Sequence, residues 1–296
     1  MKYIACLDLG GTAIKYGIID ETGCLLQRRE TESKAWLGGP ALMEKVIQVI
    51  EELQDEYALS GISLTTPGVV DAQKGEVLVC GPNIPNYSGT PVKEILEQHF
   101  EIPAESENDV NCAALAEAWS GAAKDSSHAL VMTIGTGIGG CCLVNKQVLS
   151  GCRGAAAEVG FMPFKDSFFE MHGSAAALSR KVASRKNEPA ENWPGRRIFE
   201  AADQQDPVCR EEIDELCQTL GEGIAVIASI LNPDVIVLGG GILARHELLI
   251  PKIQAVMKER MLPFSYDCIT LKPACYENNA GMLGAFYHFK SRHPEI

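Results

Sequence analysis

Two glycine turns, each set between apolar strands, hold the residues best suited to gripping phosphate. The first reads Asp8-Leu-Gly10-Gly11-Thr12 and leaves through Tyr16-Gly-Ile-Ile19 to a turn at residues 20–23. The second reads Thr133-Ile-Gly135-Thr136-Gly137-Ile-Gly139-Gly140 and leaves through Leu143-Val144 to a turn at Asn145-Lys146. Glycine permits close backbone approach, and successive N–H groups in such turns form concave anion sites. Asp8, at a strand end, has a carboxylate suited to orienting a hydrated magnesium ion near those phosphates, although aspartate beside glycine is also ordinary turn chemistry. Thr12, Thr133 and Thr136 add hydroxyls, in a residue type that hairpins also favour for itself. An ungapped offset of about 125 residues lays Asp8 on Thr133, Gly10 on Gly135 and Asp20 on Asn145, the self-similarity of a duplicated unit. Two such hairpins facing one another would clamp a nucleotide.

The commoner glycine motifs fail on context. Gly135-x-Gly137-x-x-Gly140 matches the dinucleotide fingerprint, which needs a helix after the turn to hold the pyrophosphate. Here residues 141–149 are strand-like, with the Asn-Lys turn in the middle. No G-x-x-x-x-G-K-[ST] occurs. A third turn, Gly239-Gly240-Gly241, suits a backbone passing beneath an adenine or ribose, or a plain strand-to-helix turn.

Positioning these turns calls for alternating strands and helices. Helical spacing runs over 40–57 (Leu42, Val46, Val49, Ile50, Leu53), 92–100 and 111–119, with strands over 61–66 and from Ile102 toward Asp109. Asp109 falls just before the 110–119 helix, where aspartate is a favoured N-cap. Residues 151–174 show no period and read as loop, as does polar 186–195. A long helix over 207–231 stops at Asn232-Pro233; strand 234–238, helix 246–261, a strand near 268–271 and helix 280–290 follow.

At 296 residues two lobes are preferred to one core. The net charge of −13 repels nucleic-acid phosphates. The N-terminus resembles neither a signal peptide nor a membrane span, so a cytoplasmic protein with no membrane partner is expected. Eleven cysteines, odd in number and lacking any C-x-x-C pair, read as reduced structural thiols.

In order, Asp8-Leu-Gly-Gly-Thr12, Thr66-Pro-Gly68-Val-Val-Asp71, Pro82-Asn83-Ile84, Glu107-Asn108-Asp109-Val-Asn111, Thr133-Ile-Gly-Thr-Gly-Ile-Gly139-Gly140 and Val237-Leu-Gly-Gly-Gly-Ile242 resemble the ROK family of bacterial sugar kinases and sugar-responsive repressors, over essentially the whole chain. The resemblance implies an α/β, two-lobed actin-like (ribonuclease-H-like) sugar kinase fold, with ATP and sugar in a cleft between lobes. A small lobe would span 1–118 plus 280–296 and a large lobe 119–279, with the last helix crossing back to the first lobe. It implies that Asp109 is the base that takes the proton of the sugar hydroxyl attacking the γ-phosphate, and a helix N-terminus favours the ionised form a base needs. Asn83 and Asn108 match positions that bond sugar hydroxyls, Gly68 a backbone position beside the sugar, and Glu158 a glutamate near C1 and C2. Phosphate contacts fall to Asp8, Gly10, Gly11, Thr12, Thr133, Gly135, Thr136 and Gly137, with Gly240 in the nucleotide set. ATP and Mg²⁺ are implied, and so is a homodimer.

The chain departs from most of these kinases at Phe161, where they carry histidine followed by a cysteine-rich zinc segment. Residues 161–178 contain no cysteine, so no zinc is expected, and His172 reads as an ordinary loop residue. The branch without zinc, the β-glucoside kinases, shows a similar glutamate-x-glycine-aromatic pattern. An apolar ring near C1 tolerates a glycosidic substituent better than a metal-tied imidazole. The expected activity is transfer of the γ-phosphate to the 6-hydroxyl of a glucose unit, as in cellobiose. Alternatives are a glucokinase or N-acetylmannosamine kinase, and a catalytically silent sugar-sensing regulator. The repressor form carries a helix-turn-helix domain ahead of its first strand, and with the first strand read from Ile4 no such domain is expected.

Overall fold

The computed structural model describes residues 1–276 and 279–296 and resolves the chain into two compact units. The first takes in Met1–Gly121, Ser150–Ala156 and the C-terminal segment. Its strands are β1 (Tyr3–Leu9), β2 (Ala13–Asp20), β3 (Leu25–Glu32), β4 (Leu59–Thr66) and β7 (Ala104–Asn108); β5 (Val69–Asp71) and β6 (Glu76–Val79) form a separate ribbon. The main sheet has the order β3-β2-β1-β4-β7. The β1–β2 and β2–β3 pairs are antiparallel, whereas β4 and β7 join in parallel. Both faces are covered, which is why β1 reads as a nearly unbroken apolar run. Ala5 and Leu7 join the core built with α1 (Gly39–Gln54) and α2 (Val92–Phe100). Ile4 and Cys6 pack with Met282, Phe286 and Phe289 of the C-terminal helix Ala280–Arg292, which lies beside α3 (Asp109–Ser120).

The second unit takes in Ala122–Leu149 and the chain from Ala157 through the last strand. Strands β8 (His128–Ile134), β9 (Ile138–Val144) and β10 (Gln147–Val148) precede a small hairpin of β11 (Pro163–Phe164) and β12 (Ser167–Phe168). Helices α4 (Phe169–Gly173), α5 (Ala175–Lys186), α6 (Gly195–Asp203) and α7 (Pro207–Leu231) lead to β13 (Val235–Gly239). Then come α8 (His246–Arg260), α9 (Pro263–Tyr266) and β14 (Thr270–Pro273). The sheet order is β10-β9-β8-β13-β14, with the same pattern of two antiparallel and two parallel pairings. The duplication visible in the two hairpins therefore extends to the whole sheet.

Helix α7 follows its sequence signals closely. Asp206 caps it by accepting from the Cys209 N–H at 3.0 Å, Pro207 starts it, and left-handed Asn232 with Pro233 ends it. Several expectations need correction. Residues 25–32 form β3, unread in the sequence because this charged edge strand exposes every second residue. The presumed loop 151–174 contains the β11–β12 hairpin and α4, and His172 is helical rather than in a loop. The strand expected near 268–271 is Thr270–Pro273. Among the described residues no helix is long and apolar enough to cross a membrane.

Candidate active site

In the first unit the chemistry gathers at the ends of β1, β4 and β7. Asp8 lies directly across the β1–β2 ladder from Lys15, and its Oδ2 is 3.3 Å from the Lys15 ammonium. Its Oδ1 accepts from Thr65 Oγ1 of β4 at 2.9 Å. Gly281 of the C-terminal helix backs this carboxylate so closely that a Cβ there would lie 2.6 Å from Asp8 Cγ. Beyond Asp8 the turn tightens: the Gly10 N–H donates to the Ala13 carbonyl at 2.9 Å, so it serves the turn itself. Ser33 holds the turn by donating its hydroxyl to the Gly11 carbonyl and its N–H to Thr12. Gly11 opens on space, with nothing within 4 Å of a Cβ built on it, and Thr12 is exposed.

The N-cap of α3 is Asn108, which corrects the expectation that Asp109 fills that position. Asn108 Oδ1 accepts from the N–H groups of Val110 (2.8 Å) and Asn111 (3.1 Å). Its amide nitrogen donates to the Gly68 carbonyl (2.9 Å) and to Asp109 Oδ1 (3.0 Å). Asp109 is the first helical residue, and its Oδ1 also accepts from the Val110 N–H at 2.9 Å. The structure thus brings Gly68, Asn108 and Asp109 together. Glu107 steadies the same corner by accepting from Asn108 N–H and Asn111 Nδ2.

Electrostatics at this corner run against the simple helix-terminus argument. Burial raises the Asp109 pKa from 3.8 to about 6, and the nearby Asp8 charge adds to the rise. Hydrogen bonds from Val110 and Asn108 pull the other way without winning. Asp109 keeps some accessible surface, yet protein surrounds its carboxyl closely enough for desolvation to dominate. A carboxylate with its pKa just below neutrality is ionised at pH 7 and still a competent proton acceptor. Asn83 sits exposed on the loop after β6.

The second unit repeats the hairpin with different chemistry. The position across from Thr133 is Gly139, so the charged pair of the first hairpin has no counterpart here. The Gly135 N–H closes the turn onto the Gly137 carbonyl at 3.0 Å, and the Gly135 carbonyl accepts from Ala175 N–H at the start of α5. Gly240 has φ +93° and packs its α-carbon against the Ile134 backbone, where a Cβ would come within 2.3 Å of the carbonyl oxygen. These elements wall a cavity of about 520 Å³ lined by Gly135, Thr136, Phe199, Gly241, Ile242 and Arg245, among others. Arg245 grips both carboxylate oxygens of Asp203 (2.9 and 3.1 Å) and rides 5.5 Å from the Phe199 ring. Phe199 and Arg245 escaped the sequence reading; the amphipathic run 195–203 was the one available signal.

Glu158 precedes a short turn of helix and is exposed; partial desolvation and the Glu170 carboxylate raise its pKa. Glu170, also unforeseen, accepts from the Ile138 N–H at 3.3 Å just beyond the second hairpin turn. Phe161 is exposed, its ring edge-on to Phe168 at 6.0 Å between centroids.

Comparison with known proteins gives a consistent picture. The model of the ROK family matches residues 4–292. A Clostridium perfringens protein is 40% identical over 290 residues, covering 98% of both chains. A beta-glucoside kinase of Listeria monocytogenes is 32% identical over 294 residues, covering 97% of both. Among solved structures, a ROK family glucokinase from Streptomyces griseus in complex with glucose and AMPPNP superposes with a TM-score of 0.81 at 26% identity, over 96% of this chain and 97% of that one. With a duplicated sheet beneath it and a family match running almost end to end, the chain belongs to the ROK family and has its two-lobed actin-like α/β fold.

Proposed function

We propose that this ROK family sugar kinase transfers the γ-phosphoryl group of ATP to the 6-hydroxyl of a glucose unit, with a β-glucoside such as cellobiose as acceptor. The observation that carries the reading is the Asn108–Asp109 corner of the first unit. There a desolvated carboxylate is fixed by an amide whose own bonds to Gly68 and to the α3 N-terminus leave it little freedom. Ionised Asp109 accepts the hydroxyl proton as the sugar oxygen bonds to the γ-phosphorus; the bond from that phosphorus to the β–γ bridging oxygen breaks, and ADP departs.

Nucleotide binding rests on the second unit. Its cavity joins a glycine hairpin, suited to phosphate, with an apolar wall at Phe199 and Ile242, suited to a base. Among the described residues no group of three or more His, Cys, Asp or Glu side chains makes a metal site. Hydrated magnesium needs only one or two carboxylates besides phosphate oxygens. Asp8, close enough to Asp109 to raise its pKa, fits that need. When bound, the ion would neutralise phosphate charge as the β–γ bond breaks. Exposed Phe161 and the Listeria relative favour a β-glucoside over free glucose.

The test is coupled ADP release with cellobiose, glucose and N-acetylmannosamine, with product position read by NMR. Phosphate on C6 of the non-reducing glucose of cellobiose, at a kcat/KM above those of the free sugars, is the expected result. Turnover of glucose or N-acetylmannosamine with none of cellobiose removes the β-glucoside assignment.

A further inference from the structure

We infer that Trp36 and Leu37 form the subsite for the part of the acceptor beyond the phosphorylated glucose, with the Trp36 indole stacking on the second sugar ring of a β-glucoside. The inference rests on the β-glucoside kinase reading above and deepens it, naming residues that would select such acceptors.

Geometry comes first. Both residues sit on the short turn Ala35–Leu37 between β3 and α1, where they are 56% and 61% exposed. The turn is fixed at both ends. On one side, buried Ser33 donates to the Gly11 and Thr12 carbonyls of the first glycine turn. On the other, the Gly39 N–H donates to the Pro85 carbonyl at 2.8 Å, and a Cβ on Gly38 would lie 2.8 Å from the same oxygen. Ala35 is buried in the core between them. Lys34 is held left-handed at φ 49°, a conformation that is costly for a residue with a side chain and persists where the surroundings impose it. The indole is therefore carried on a rigid frame.

That frame leads to the proposed acceptor corner. Pro85 follows Asn83 by two residues, and Tyr87, two further on, is fully buried with its hydroxyl 2.9 Å from Thr66 Oγ1. Thr66 ends β4 two residues before Gly68, whose carbonyl accepts from Asn108 beside Asp109. Cys80, at the start of the same loop, has its pKa raised by burial and by the Asp109 charge. Asn83 and Asn86 are exposed on that loop and supply amides suited to hydroxyls. An apolar ring face neighbouring neutral amides is chemistry for carbohydrate, whose C–H face stacks while its hydroxyls bond. Area argues against a second protein copy, since a stable interface takes roughly 800 Å² from each partner, far more than one indole and one leucine side chain present. The other two tryptophans differ, for Trp119 stacks on Tyr287 at 5.0 Å and Trp193 is buried.

The experiment compares the wild type with Trp36→Ala, Trp36→Phe and, as a control, Trp119→Ala. Cellobiose and glucose affinities are measured by calorimetry without nucleotide, turnover of both with ATP, and tryptophan emission during each titration. In Trp36→Ala the cellobiose-to-glucose ratio of kcat/KM should fall roughly tenfold, through the KM for cellobiose, and Trp36→Phe should recover most of it. Cellobiose should shift the wild-type emission to the blue, and Trp36→Phe should lose that shift. Trp119→Ala should keep the wild-type ratio. A ratio in Trp36→Ala within about twofold of wild type, or an emission shift that survives in Trp36→Phe, or an equal fall in Trp119→Ala, overturns the inference. Sedimentation of Trp36→Ala as a smaller species than the wild type overturns it too, assigning the turn to contact between copies. Failure of the underlying reading looks different: a wild type that phosphorylates glucose but neither binds nor phosphorylates cellobiose sinks both, whereas undiminished use of cellobiose by Trp36→Ala sinks this inference alone.

Discussion

Replacing Asp109 by Asn should stabilise the protein while removing its turnover. Asparagine keeps Oδ1, the atom that accepts from Val110 N–H at 2.9 Å and from Asn108 Nδ2 at 3.0 Å, so the helix start survives. What disappears is a charge held where burial disfavours it. The native pKa of about 6 against an ordinary 3.8 is a gap of roughly 2 units, and at ~1.4 kcal/mol per unit the ceiling is about 3 kcal/mol. Residual solvent access screens part of this, leaving roughly 1–3 kcal/mol. Because the folded pKa lies above the unfolded one, the folded state binds the proton more tightly. Wild-type stability therefore falls as pH rises through the window from 3.8 to about 6 and carries the full penalty above it. The asparagine variant should lead by its full margin at pH 7.5, by less at pH 5, and by almost nothing near pH 4. Urea unfolding of both proteins across this range measures the margin. At saturating ATP and sugar, kcat should drop by roughly 10² to 10⁴. For the wild type, kcat/KM should fall as pH drops through about 6, where Asp109 takes up its proton. A variant no more stable than wild type at neutral pH, or a margin that does not change with pH, refutes the reasoning.

Three other perturbations probe the frame around the site. Gly240→Ala forces a side chain onto a backbone at φ +93° and within 2.3 Å of the Ile134 carbonyl oxygen, so a stability loss of at least ~2 kcal/mol is expected in denaturant titration. Gly281→Ala pushes on the Asp8 carboxyl from 2.6 Å; a shift of about 1 Å there should cost on the order of 100-fold in kcat, with the sugar KM little changed. Phe199→Leu trims the apolar wall of the second-unit cavity and should raise the KM for ATP about 3- to 10-fold without touching that for sugar, as initial-rate kinetics would show.

Much of this protein is legible along the chain because its signals are local. The glycine hairpins announce themselves by a turn between apolar strands, and α7 by its cap, its starting proline and its left-handed end. Their near-repetition at a fixed offset foretold two like units, and the matching sheet orders extend that likeness to strands with little sequence in common. Where the local signal is weak, reading failed. Strand β3 alternates charge with sparse apolar residues, and 157–174 packs two short strands and a five-residue helix below the length at which a period shows.

The site divides along the same line. Which residue types stand at the strand ends, Asp8, Asn108, Asp109 and the glycines, was set by sequence, since turns and helix starts select them within a few positions. Which of two neighbours caps α3, and whether Asp109 holds its proton near pH 6, depended on what packs around them from β1, β4 and the loop at Gly68. Lys15, Thr65, Glu170, Phe199 and Arg245 gained meaning the same way, from partners tens of residues distant or across a ladder. Turn geometry is decided by neighbours in the chain; desolvation and charge are decided by neighbours in space, and only the folded arrangement supplies those.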